Sequence, residues 1–101
     1  YIDNEVNDIT PPTGVISNPV SGQTVSGTVN FTVTAQDDQG IAEVELSIDG
    51  VVVALDTEDP YQYSWDTTGL TNDSQHTLSA TVTDDAGHTT ILQPVLVTVS
   101  N

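Results

Sequence analysis

The sequence predicts an all-β fold in which two antiparallel sheets pack face to face. Three observations point there. Short runs rich in Val, Ile and Thr alternate apolar with polar residues, the period of two that a half-buried strand requires. Gly, Asn, Asp and Pro punctuate those runs at close spacing, as consecutive turns do. Lys, Arg and Met, all good helix formers, are absent, and no stretch reads as a helix. A chain of 101 residues suffices for one domain with one core.

The elements follow in order. Residues 1–10, YIDNEVNDIT, are polar and acidic and read as a linker or arm. Pro11-Pro12 stiffens its end, because proline fixes φ and restricts the residue before it. The domain itself is expected to span 11–101. Its first strand lies near Gly14–Asn18. In the second, Val29, Phe31, Val33 and Ala35 point one way and Asn30, Thr32 and Thr34 the other. In the third, Val44, Leu46 and Ile48 face inward, with Glu43, Glu45 and Ser47 outward. Asp49-Gly50 then forms a two-residue hairpin loop suited to a type I′ turn. The fourth strand is Val51–Leu55.

The fifth strand, YQYSW, puts Tyr61, Tyr63 and Trp65 on one face. Turned outward, that row would be a flat stacking platform for glycan rings. The polar alternates Gln62 and Ser64 favour the inward reading, in which the row belongs to the core. The sixth strand has Leu78, Ala80 and Val82 inward. The seventh runs from about Thr89 to Ser100, with Val95, Val97 and Val99 on one face and Pro94 at a bulge or an edge. Seven strands in about a hundred residues fit an immunoglobulin-like β-sandwich. With no cysteine there is no disulfide to staple it.

Charge narrows the function. Fifteen acidic residues and no Lys or Arg give a formal net charge of −15. No basic patch can form, which excludes binding to a phosphate backbone. An anionic membrane surface would repel the chain, and no apolar run is long enough to insert into a bilayer. Such a chain also repels itself, and cations relieve that strain. Two readings compete: adaptation to a salty exterior, and specific binding of a cation. The first residue is Tyr, which suggests a module cut from a longer protein.

Strand parity bears on the second reading. Alternate loops of an antiparallel sandwich share an end. The loops containing Asp37, Asp38, Asp56, Glu58, Asp59, Asp84 and Asp85 are expected at one end, with Asp3, Glu5 and Asp8 of the arm beside them. Ten of the fifteen acids would gather there. A hard divalent cation such as calcium, which takes about 6–8 oxygen ligands in flexible geometry, would turn that repulsion into attraction. Asp and Gly are equally the ordinary residues of turns, because Asp side chains bond their own backbone two residues on. The D-x-D-x-D-G spacing of an EF-hand is absent.

Catalysis is not expected. His76 and His88 are too few for a zinc site and fall near opposite ends. Nothing marks a serine for a Ser-His-Asp arrangement. Asp84 and Asp85 are adjacent on a turn and would not span a scissile sugar linkage.

Several segments resemble the bacterial immunoglobulin-like domain family: PPTGVISNPVSGQTVSGTVNFTVTAQDDQGIAEVELSIDGVVV, then DPYQYSWDTT, then HTLSATVTDDAGH. The resemblance covers about residues 11–100. It implies a tandem module of secreted or surface proteins, serving as a spacer, an adhesin repeat or an accessory module beside enzymes. Related modules bind calcium where domains join, which would assign Asp8, Asp37, Asp38, Asp84 and Asp85 as ligands. His88 stands where the family often has Asn. The expectation is thus a non-catalytic extracellular module, monomeric in isolation, whose partners are adjacent domains of the same polypeptide. The alternative is an accessory module that binds polysaccharide or a cell surface.

Overall fold

A computed structural model describes residues 11–37 and 40–101. The expected arm, 1–10, lies outside the described residues. The strands are β1 (Thr13–Asn18), β2 (Thr24–Val25), β3 (Thr28–Gln36), β4 (Ile41–Ile48), β5 (Val51–Asp56), β6 (Tyr61–Asp66), β7 (Ser74–Asp84), β8 (Thr89–Ile91) and β9 (Val95–Val99). No helix occurs among the described residues. One sheet has the order β1-β3-β6. The other has the order β2-β9-β7-β4-β5, with β8 also on β7. Every pairing is antiparallel except β2 with β9.

The alternation read from the sequence is the alternation of burial. Val29, Phe31 and Val33 of β3 are buried, as are Val44, Leu46 and Ile48 of β4, Leu78, Ala80 and Val82 of β7, and Val95, Val97 and Val99 of β9. The two inner faces therefore close on one core. Tyr61 and Trp65 are buried within it and Tyr63 packs against it, so the aromatic row faces inward. The β4–β5 hairpin turns through Asp49 (φ 53°) and Gly50 (φ 82°). Positive φ at both residues is what a type I′ turn demands.

Two features differ from the seven expected strands. The seventh is divided into β8 and β9. Thr81 pairs with Ile91 and Leu78 with Val95, so four steps along one strand oppose three along the other. The extra residue makes a bulge at Gln93-Pro94, where the missing proline N–H breaks no ladder. The second feature is β2. It is two residues long, and the chain reaches it by crossing from the first sheet to the second after Asn18. Alternation cannot reveal a strand that short.

The end of the sandwich where β9 stops is fastened by Asn101. Its side chain accepts from the Gly27 N–H at 2.9 Å and donates to the Thr67 carbonyl at 2.6 Å. Thr67 is fully buried and donates its hydroxyl to the Gly27 carbonyl at 2.6 Å. Asp66 accepts both the N–H and the hydroxyl of Thr68. The W-D-T-T run thus has a structural role in each residue.

Phe31 is fully buried at the centre of the core. Phe31→Ala is expected to lower unfolding stability by about 3–5 kcal/mol in urea melts, the usual cost of truncating a buried aromatic. A loss below about 1 kcal/mol would mean that the two sheets do not close over this side chain.

Candidate functional site at the acidic end of the sandwich

The loops after β3, β5 and β7 all lie at the end where β1 begins, as parity requires. Thr13 pairs with Gln36, and Ile41 pairs with Asp84. The Asp85 N–H donates to the Gly40 carbonyl at 3.1 Å, which ties the loop after β3 to the loop after β7. Gly40 has φ +97°, and a Cβ placed on it would sit 2.7 Å from Asp85 Oδ2. The left-handed backbone is what favours glycine there, since the exposed Asp85 carboxylate could swing aside from a Cβ.

Each acid of this end has its own situation. Asp84 is 1% exposed. Its Oδ1 accepts the N–H groups of Ala86 at 3.0 Å and His88 at 2.8 Å, and its Oδ2 faces His88 Nδ1 at 3.2 Å. Burial pushes its carboxyl up, but these hydrogen bonds and the ring's charge together hold it below the usual carboxylate value. Asp84 therefore shapes its own loop, in the way Asp side chains commonly close turns. Asp56 Oδ2 accepts the Gln62 N–H at 2.8 Å. Asp85 and Asp59 are exposed, and Asp37 is half-buried. Burial raises the Tyr61 phenol, and Asp59, Asp56 and Asp85 raise it further. Carboxylates from two different loops thus share one field.

Of the five expected calcium ligands, Asp37, Asp84 and Asp85 sit on the two joined loops. Asp8 and Asp38 lie outside the described residues. Among the described residues, no group of three or more His, Cys, Asp or Glu is arranged to hold a metal ion.

The two histidines are at opposite ends, as parity predicts. His88 adjoins Asp84. His76 lies near the start of β7, where its Nδ1 is 2.6 Å from Asp49 Oδ2 and its Nε2 is 2.9 Å from Ser74 Oγ. Sequence reasoning missed this second cluster. It becomes readable only once β4 and β7 are known to be neighbours, since the turn after β4 then falls beside the start of β7. Burial raises the Asp49 carboxyl, but the hydrogen bonds from His76 and from the Thr77 N–H bring it below its ordinary value.

A shallow depression of about 300 Å³ lies elsewhere, beside the β1–β2 crossing, and Asn18, Gln23, Thr24 and Ser26 help to line it. Its lining contains no ionisable and no aromatic side chain. It offers hydrogen bonds but no acid, base or stacking surface.

The lowered carboxyls make acid response specific. A group whose folded pKa is depressed contributes stability above its unfolded value and loses it as pH falls through the folded value. Asp84 belongs to this class, with an ordinary value of 3.8. Neutralising the remaining acids acts the other way, by relieving repulsion. Wild-type melting temperature is therefore expected to fall more steeply below pH 3.8 than that of Asp84→Asn. Equal slopes in thermal melts would mean that the bonds to Ala86 and His88 contribute nothing.

A family model described as a bacterial Ig domain matches residues 12–80. No curated protein matches the chain. Among solved structures, the chain is similar to the fibronectin(III)-like modules of CbhA from Clostridium thermocellum. The identity is 19% and the TM-score 0.75, covering 87% of this chain and 96% of that one. It is also similar to part of the endo-β-1,4-mannanase from Thermotoga petrophila. Here the identity is 18% and the TM-score 0.71, covering 93% of this chain but 21% of the mannanase. At such identities the structural likeness establishes the fold.

Proposed function

The chain belongs to the bacterial Ig domain family, and on that premise we propose that it is a non-catalytic module of a larger secreted or surface protein, where it holds neighbouring domains of the same polypeptide apart. The observation that carries this reading is the path of the chain. β1 begins at the acidic end, where Thr13 pairs with Gln36. β9 finishes at the opposite end, where Val99 pairs with Ser74. A domain entered at one end and left at the other adds its full length to whatever it joins. The 11 residues of β7 span roughly 35 Å at about 3.3 Å per residue.

The solved structures of similar fold support an accessory position. One is a module of CbhA and the other is a fraction of a mannanase. In an adhesin the same through-going geometry, repeated in tandem, would build a stalk. The glycan-binding alternative has less support, because Tyr61 and Trp65 are buried and offer no stacking surface.

Two copies joined in tandem test the spacer reading. In small-angle X-ray scattering, the maximum dimension is expected to grow by roughly 35 Å, one strand length, over a single copy. A compact pair with no such growth would sink it. Micromolar retention on β-mannan or cellulose in an affinity gel would favour the glycan-binding alternative instead.

Calcium belongs to this proposal as a stiffener of the acidic end. Its support is the joining of the two Asp-bearing loops through Asp85 and Gly40 and the net charge of −15. Asp84 would act by fixing loop shape, and Asp37 and Asp85 would contribute oxygens, together with Asp8 and Asp38. Calorimetric titration with calcium, against magnesium as control, is expected to show saturable binding and a melting temperature that rises with calcium. Asp37→Asn combined with Asp85→Asn should abolish that rise. A rise that survives the double substitution would place the ion elsewhere, and no binding would leave a salt-adapted spacer.

A further inference from the structure

A second group of ionisable and nucleophilic side chains sits at the opposite end of the sandwich. Asp49 comes from the β4–β5 turn, His76 from β7, and Ser74 from the turn that starts β7. Asp49 Oδ2 is 2.6 Å from His76 Nδ1, and His76 Nε2 is 2.9 Å from Ser74 Oγ. The His76 side chain is 15% exposed. Its ring meets Trp65 of the facing sheet edge-on, with centroids 5.6 Å apart and planes at 75°.

The order carboxylate, imidazole, hydroxyl is that of a hydrolase triad. The wiring of the serine is different. Ser74 Oγ lies 2.6 Å from the Thr71 carbonyl, and the Ser74 N–H donates to that same carbonyl at 3.2 Å. The N–H that would face an oxyanion is turned into the chain's own turn. Ser74 is a structural hydroxyl rather than a nucleophile.

Counting protons shows what the cluster does instead. A carboxylate only accepts, so the Nδ1 that faces Asp49 carries a hydrogen. When the ring is also protonated at Nε2, that N–H donates to Ser74 Oγ, and the serine hydroxyl is released to Thr71. Every donor then has one acceptor. When the ring is neutral, Nε2 becomes an acceptor. The single hydroxyl proton of Ser74 must then choose between Nε2 and the Thr71 carbonyl. Protonation of the ring thus decides whether the Ser74 hydroxyl adds its bond at 2.6 Å to the one that the Ser74 N–H already makes to the Thr71 carbonyl.

We propose that Asp49, His76 and Ser74 form a proton-operated clasp, in which charge on His76 locks the 71–74 turn against the end of β7 and loss of that charge loosens it. Asp49 is the charged group facing the ring. Trp65 from β6 and Val97, which pairs with His76 from β9, carry no charge, and Asp73 in the adjoining turn is exposed. Imidazole is the side chain whose charge ordinarily changes between about pH 5 and 8.

Trp65 is the sole tryptophan and reports directly on its neighbour, because an imidazolium quenches indole emission. The test is a pH titration from about 8 to 5, the range of imidazole chemistry, followed by fluorescence and by backbone amide resonances. Emission is expected to fall reversibly with the uptake of one proton, and the Thr71 and Ser74 amide resonances should titrate in step with it. His76→Gln should remove both changes. Ser74→Ala should keep the emission change and silence the Thr71 shift. Turn resonances that stay constant while emission changes would overturn the clasp. So would a wild-type protein with neither change, or turn resonances that titrate equally in His76→Gln. Covalent labelling of Ser74 by a fluorophosphonate would also overturn it, in favour of a nucleophilic serine.

Discussion

The antiparallel ladder between β4 and β7 is the constraint on which the rest of the molecule depends. Its register sets Val44 against Val82, Leu46 against Ala80 and Ile48 against Leu78, three apolar pairs at the middle of the larger sheet. Burial fixes that register, since a slip of β4 by one residue would send its apolar row to solvent and bring Glu43 and Glu45 inward. Both ends of the molecule follow from it. At one end Gly40 is delivered to Asp85. At the other the Asp49 N–H donates to the Thr77 carbonyl at 2.8 Å, and the Asp49 carboxylate accepts the Thr77 N–H at 2.9 Å. The acidic end and the histidine clasp are two terminations of one ladder.

A chain with fifteen acids and no Lys or Arg cannot offset its charge with ordinary ion pairs. Several of the described carboxylates use another resource. Asp49, Asp56, Asp66 and Asp84 each accept a backbone N–H. Charge-assisted bonds of this kind are stronger than neutral ones and carry little entropy cost, because the donor is already fixed by the turn. The two histidines take a carboxylate each, one at either end. Electrostatic order here comes from turn geometry.

This explains how far the sequence could be read. Strands with long alternating faces, such as Val29 to Ala35, were legible because burial on one side enforces a period of two. β2 was hidden because two residues carry no period and its partner, β9, lies at the far end of the chain. Parity correctly placed the loops of Asp37, Asp56 and Asp84 at one end, since it needs only the strand count. It said nothing of what each carboxylate does once there. Asp84 looks like a ligand in the sequence, yet its oxygens face Ala86 and His88. Nothing near Ser74 in the sequence pointed to Asp49, because 25 residues of chain separate two side chains that meet at a single imidazole.

The parallel pairing of β2 with β9 bears on how the module would carry load. The Gly22 N–H reaches the Leu96 carbonyl, the Thr98 N–H that of Gln23, and the Ser100 N–H that of Val25. These bonds join the early chain to the late chain along a shared direction. Tension applied at the two ends would draw β2 and β9 past one another, so the three bonds would resist together in shear instead of peeling one at a time. A strand of two residues, which gives the core only Val25, thereby becomes a fastening that resists a pulling force along its length once the load has passed β1.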